Sequence, residues 1–231
     1  MELRIIDSGP AKAATNMAVD RGIIEQVSAD PTYAVLRWYT WDPPAFSLGY
    51  GQKSEHVFDK EKLERLGIPW VKRPTGGSLV YHAGDLSYSF TLPRRNPWGI
   101  LSSKDLYRLV STAWIKGLNR LGISAAPPKD VPAARDVPHA TRQLCLAFHS
   151  PGDLLVKGKK IGGSAQRRLR NVWHQDGFFL LRSADPPDCL RLPEMAIMMK
   201  TSSGDLASLG YALEETTLRE CLSEAMTELF T

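Results

Sequence analysis

Apolar residues in this chain come mostly in short runs bounded by turn formers, with helical periodicity in only a few places. Tyr33 to Trp41 and Ala45 to Leu48 read as strands, parted by the turn Asp42-Pro43-Pro44. Further strand-like runs follow at Ile68 to Val71, Leu79 to Tyr81 and Leu86 to Leu92, the last stopped by Pro93. Asp153 to Val156 and Lys160-Ile161 read as a hairpin around Lys157-Gly158, and Val172 to Leu181 as another strand. Helices are fewer. Thr15 is placed to cap one from Asn16 to about Gln26, with Met17, Ile23 and Ile24 as its apolar positions. A short amphipathic helix covers Asp59 to Leu66 and stops at Gly67; Ser102, with Asp105 behind it, opens a long one ending near Leu121 and Gly122. Thr217 and Glu220 form the capping box of a last helix running to Phe230. Between them, Ala125 to His139 is rich in Pro and Ala and reads as an irregular loop, a candidate lid. Strands outnumber helices and do not alternate regularly with them. The expectation is an α+β fold with a mixed or mostly antiparallel sheet flanked by helices.

Composition narrows the class. The 231 residues are 43% hydrophobic and 23% charged, ordinary for a globular chain able to bury a core, and nothing marks a linker, so residues 1–231 are expected to form a single domain. No run approaches the roughly 20 apolar residues of a membrane span, and the opening MELRIIDSG lacks the form of a signal peptide. A cytoplasmic protein with no membrane partner is expected. Cys145, Cys189 and Cys221 are odd in number and without paired spacing, which argues against a disulfide framework. Histidines and cysteines do not occur at ligand spacing, so no metal is expected. The net charge of +4 is a modest excess without a clustered basic stripe; it is a weak argument for nucleic acid, and an acidic protein partner explains it equally well, so no nucleic-acid partner is expected.

Two distant segments carry the candidate chemistry. In Lys72 to His82, Thr75-Gly76-Gly77 sits between two strand-like runs, so the backbone can turn sharply and bring bare N–H groups to a ligand. In the second, the hairpin lysines precede Gly162-Gly163-Ser164-Ala165, and Cys145 lies 15 residues before Lys160. Together they suggest a pocket for a carboxylate, thioester or acyl phosphate. A thiol of pKa about 8.5 is only a few per cent thiolate at neutral pH, and a neighbouring ammonium raises that fraction. A cysteine taken alone is more often an apolar packing residue, as Cys189 and Cys221 are read here. Lys157 and Lys159 read as solvated hairpin charges, whereas Lys160, directly before Ile161, is expected to point inward. Arg73 is placed to anchor an anionic or carbonyl group, and Gly163 and Ser164 offer N–H groups for an oxyanion. His82 is either a ligand contact or a satisfied core histidine. His149 and His174 suggest no Cys-His protease, because no signature of such an enzyme is present.

These residues resemble the biotin/lipoate protein ligase and lipoyl transferase superfamily. Asn16-Met17-Ala18 with Asp20, Ser47 to Tyr50 with Gln52, Arg73 to Gly77 leading to His82, Leu86 with Tyr88-Ser89, and Gly158 to Gln166 fall in its order. The chain is most similar to the single-domain octanoyltransferases of the Gram-positive type, without an accessory C-terminal domain. That resemblance implies a ligase-like catalytic domain in which Cys145 is the acyl acceptor and Lys160 its activating partner. It also implies a substrate pocket formed by Arg73, Thr75, Gly76, Gly77, Ser78, His82, Gly163, Ser164 and Ala165. The implied donor is octanoyl-acyl carrier protein, and the acceptor a lysine of a lipoyl domain in a 2-oxoacid dehydrogenase subunit or the glycine-cleavage H protein. No ATP or metal is implied.

The chain departs from the pattern twice: Asp176-Gly177 stands where many relatives have His-Gly, and Ser78 replaces the third glycine of the ligases. A lipoate-protein ligase, using ATP and magnesium and no cysteine, is the main alternative, but such ligases commonly carry an accessory domain. An amidotransferase moving acyl groups between lipoyl domains is another, kept open by Gln166-Arg167-Arg168. From a different class, a non-catalytic acyl-binding protein would tolerate serine in place of Cys145.

Overall fold

The computed structural model describes residues 1–95 and 100–230. In chain order the elements are β1 (Glu2–Ala11), α1 (Ala13–Ala29), β2 (Tyr33–Trp41), β3 (Ala45–Leu48), α2 (Lys60–Leu66), β4 (Trp70–Lys72), β5 (Val80–His82) and β6 (Asp85–Pro93). Then follow α3 (Ser103–Arg120), β7 (Ala125–Ala126), α4 (His139–Arg142), β8 (Leu154–Val156), β9 (Lys159–Arg168), β10 (Val172–Leu180), α5 (Glu194–Ser202) and α6 (Glu215–Thr227). A seven-stranded sheet has the order β1-β2-β6-β10-β9-β8-β7, and a three-stranded one the order β4-β3-β5. Among the described strand pairs, β1/β2 and β3/β4 run parallel and the others antiparallel. The expected α+β class with a mixed, mostly antiparallel sheet is what forms.

The central strands β6 and β10 are buried along their whole length, so the polar positions that alternate with Leu86, Tyr88, Phe90 and Leu92 in β6, namely Ser87, Ser89 and Thr91, are buried as well. Phe178 and Phe179 show the two faces, because successive side chains of a strand point to opposite sides. Phe179 joins Trp38, Tyr88 and Trp114 in an aromatic core roofed by α3 and α6, with ring centroids 4.9 to 6.3 Å apart. Phe178 belongs to the second core, with Phe46, Leu48, Leu79, Leu144 and Leu190, under the small sheet. The site lies on that second side.

Several boundaries match the sequence pattern closely. Asp59 caps α2 by accepting from Lys62 N, Gly67 ends it, and Ser102 caps α3 through Asp105 N. Two caps were misplaced. Helix α1 starts at Ala13, ahead of Thr15, because Asn16 is pulled into the fold, donating from Nδ2 to Ala11 O and Thr40 O. Helix α6 starts at Glu215 with Glu214 before it, so Thr217 is an interior residue. The segment from Ala125 is not wholly irregular: β7 pairs with β8, Val137 is buried, and a 3-10 turn spans Ala134–Asp136. Strand β1 and helix α5 were not anticipated. Most of β1 is exposed and lacks a buried face to pattern it; a parallel ladder to β2 holds it.

Candidate active site

The β8–β9 hairpin turns at Lys157-Gly158, where Lys157 has φ 50° and Gly158 φ 77°. Lys157 and Lys159 stay exposed, their ammonium groups donating to Leu209 O and Thr201 O. Lys160 turns inward and is completely buried. Its Nζ reaches Asp153 Oδ2 at 2.7 Å, Cys145 O at 2.6 Å, Phe148 O at 3.3 Å and Cys145 Sγ at 3.6 Å. Burial pushes the Lys160 ammonium toward neutrality, but the Cys145 sulfur and the Asp153 carboxylate outweigh it, and the net shift is upward. The side chain is therefore a buried cation at neutral pH. Asp153, which sequence reasoning did not single out, is itself fixed by Ser150 N and Ser150 Oγ. Its one sequence signal is a carboxylate standing directly before an apolar strand.

Cys145 opens a 3-10 turn, Cys145–Ala147. Backbone bonds pin it to the first segment: Leu79 N donates to Gln143 O at 2.9 Å, and Cys145 N to Leu79 O at 3.0 Å. Gly163 completes the arrangement. A Cβ there would lie 2.8 Å from Asp153 Oδ1 and 3.0 Å from Lys160 Cε, so only a bare backbone lets the lysine lie across β9.

The glycine turn of the first segment is packed even more tightly. A Cβ on Gly49 would come within 2.0 Å of Gly77 O, while Gly77 itself has φ 83°. Arg73, expected to anchor the ligand, spends its guanidinium on the protein instead, donating to Ser47 O and Oγ and to Gly76 O and Ser78 O. It shapes the turn. Thr75 is buried and donates to Asp176 Oδ2, and Ser78 donates to Arg142 O. His82 is a satisfied buried histidine, bonded to Ser47 Oγ at 2.8 Å and Asp85 Oδ2 at 2.9 Å and stacked on Trp41 at 4.0 Å.

The two segments face each other across one cavity of about 260 Å³. Arg73, Gly76, Gly77, Ser78, His82, Cys145, Gly163, Ser164 and Ala165 all line it; Thr75 lies just behind the wall. Met17, Tyr39, Trp41, Val80, Phe148 and Phe178 supply most of the apolar lining, and the sequence offered no sign that they converge here. Gly163 and Ser164 stand in β9 opposite Phe178 and Gly177 of β10. Cys189 is buried, its thiol pushed up to about 11 mainly by burial, and Cys221 Sγ lies 3.2 Å from Gly117 O. Neither approaches the cavity.

The fold is that of the lipoate-protein ligases. A lipoate-protein ligase A solved with ATP superposes with a TM-score of 0.81 at 20% identity, covering 100% of this chain and 86% of that one. Protein Ta0514 of T. acidophilum with bound lipoic acid gives 0.77 at 19%, covering 100% and 86%. By sequence, residues 12–188 match the lipoyl protein ligase A/B catalytic domain, and the chain belongs to that family. Among curated relatives, octanoyltransferase LipM of Anoxybacillus flavithermus is 36% identical over 180 residues, 77% of this chain and 65% of that protein. The LipM of Bacillus subtilis is 33% identical over the same extent. The match thus spans a little under two thirds of these relatives' length. No helix among the described residues is long and apolar enough to cross a membrane.

Proposed function

We propose that this chain is an octanoyltransferase that works through a Cys145 thioester. The observation that carries this reading is the buried Lys160 ammonium, held 3.6 Å from Cys145 Sγ by Asp153, at a cavity with a largely apolar wall. An ammonium so placed stabilises negative charge on sulfur, and the thiolate is the nucleophilic form. The Cys145 thiolate attacks the carbonyl carbon of octanoyl-acyl carrier protein; the new C–S bond forms, the carrier's C–S bond breaks, and the carrier leaves as a thiolate that takes from solvent a proton equivalent to the one Cys145 released. The apolar cavity takes the eight-carbon chain. A neutral lysine amine of a lipoyl domain then attacks the enzyme thioester, forming the amide C–N bond and returning Cys145 as thiol or thiolate. Throughout, the net charge of +4 favours acidic protein partners. The cycle uses no ATP and no metal, and its LipM relatives at 33–37% identity support the choice of acyl group.

The test is intact-mass spectrometry after incubation with octanoyl-acyl carrier protein in the absence of ATP. An octanoyl adduct is expected in the wild type and absent from Cys145→Ala, and it should pass to an added lipoyl domain. Loading of free lipoate that needs ATP and tolerates Cys145→Ala would replace this reading with a ligase.

A further inference from the structure

Three buried side chains outside the Cys145–Lys160 pair converge between α1 and β10. Asp20 and His174 are 0% exposed and Asp176 6%. His174 and Asp176 are two apart on β10 and so project from one face, while Asp20 comes from the helix packed over it. One atom of each is tied down. Asp20 Oδ1 accepts from Arg37 Nη1 at 2.9 Å and Ser89 Oγ at 2.6 Å, His174 Nδ1 lies 2.8 Å from Thr91 Oγ1, and Asp176 Oδ2 accepts from Thr75 Oγ1. Of the remaining atoms, Asp20 Oδ2 has no hydrogen-bond partner, and His174 Nε2 and Asp176 Oδ1 face only each other, 2.8 Å apart. One donor atom per residue falls within 4.8 Å of the other two.

We propose that Asp20, His174 and Asp176 bind a divalent transition-metal ion. Buried polar atoms are almost always paired, so an orphaned oxygen on fully buried Asp20, beside a histidine and a second carboxylate, calls for an occupant. The hydrogen bonds behind them match how proteins orient metal ligands: with Nδ1–H given to Thr91, His174 turns its Nε2 lone pair inward, and each carboxylate is held by its outer oxygen. The donor set of one imidazole and two carboxylates suits manganese or zinc. Arg37 balances one carboxylate, which leaves the other for the ion. Neighbouring ligands of an ion bound at about 2.1 Å stand roughly 3 Å apart, close to the 2.8 Å between His174 Nε2 and Asp176 Oδ1. Asp176 also lines the cavity, which supplies a way in. Bound there, the ion joins α1 to β10 and, through Asp176 and Thr75, braces the glycine turn. A proton on His174, paired directly with Asp176, is the rival occupant.

Chelator-treated protein is incubated with MnCl2 or ZnCl2, desalted, and its metal counted by elemental mass spectrometry, with Cys145→Ser in parallel to remove the thiol as a rival ligand. About one ion per chain is expected in both, and none in His174→Gln. Thr91→Val keeps all three ligands and should weaken affinity about 10–100-fold. Wild-type protein that retains neither metal overturns the proposal, because a proton then suffices. Binding that survives His174→Gln, or that disappears with Cys145→Ser, overturns it as well. Should His174→Gln fail to fold, the wild-type count and Thr91→Val decide the matter.

Discussion

Replacing Asp153 by asparagine removes the counter-charge of a lysine that has no route to solvent. Both side chains of the pair are at most 1% exposed, and Nζ sits 2.7 Å from Oδ2. An asparagine keeps the shape and can still accept from Ser150, so the change isolates the charge. Removing one partner of a buried pair costs about 3–5 kcal/mol, since the remaining ion loses its compensation. For a chain of this size, about 2–4 °C of Tm per kcal/mol gives a fall of roughly 6–20 °C. The assay is urea unfolding at neutral pH of wild type, Asp153→Asn, Lys160→Met and the double variant. Because the double variant has no stranded ammonium, it should lose less than the two single losses added together, with a coupling of about 1–3 kcal/mol. Additive losses, or a cost for Asp153→Asn below about 1 kcal/mol, would refute the reasoning, because Lys160 would then not be a buried cation.

Gly163→Ala places a methyl against Asp153 Oδ1 and Lys160 Cε, at a cost of about 1–3 kcal/mol of overpacking, and should slow formation of the acyl adduct; an unchanged rate would mean that the lysine position is slack. Gly49→Ala is expected to be harsher, because a carbonyl 2.0 Å from the new Cβ cannot yield as a side-chain end does, and soluble expression with normal melting would contradict the packing described. Lys160→Met should slow iodoacetamide alkylation of Cys145 at neutral pH, and equal rates would remove the ammonium from its proposed role. The Lys160 pKa is raised above its ordinary 10.5, so the stability it contributes is full below that value and lost as pH rises through the folded-state value. Unfolding followed from neutral to strongly alkaline pH should show the wild type converging on Lys160→Met only above 10.5, and convergence near neutrality would contradict the sign.

The fold class was legible because the strands sit in apolar runs bounded by Pro, Gly and Asp. The bounds of β2 and β3 and the β8–β9 turn emerged from that pattern alone, as did the inward direction of Lys160. Caps were read wrongly where a tertiary bond overrides local preference: buried Asn16 sets the start of α1, and Thr15 simply rides in its first turn. An arginine beside a glycine turn suggests an anion; the turn's own carbonyls hold the Arg73 guanidinium, and it lines the cavity from that position. The meeting of His174 and Asp176 with Asp20 is not legible in the sequence, because Asp20 lies on a helix far away in the chain.

Local chemistry by itself therefore determined which segments turn and which residue types stand near the glycine motifs, and the family resemblance of the sequence joined Cys145 and Lys160 in one pattern. Their 3.6 Å contact, the carboxylate that keeps the lysine charged, and the meeting of Asp20 with β10 were decided only by the tertiary structure. The physical reason is that burial and pairing of charge depend on which distant segments pack together, and Asp20 and Asp176 are separated by most of the chain.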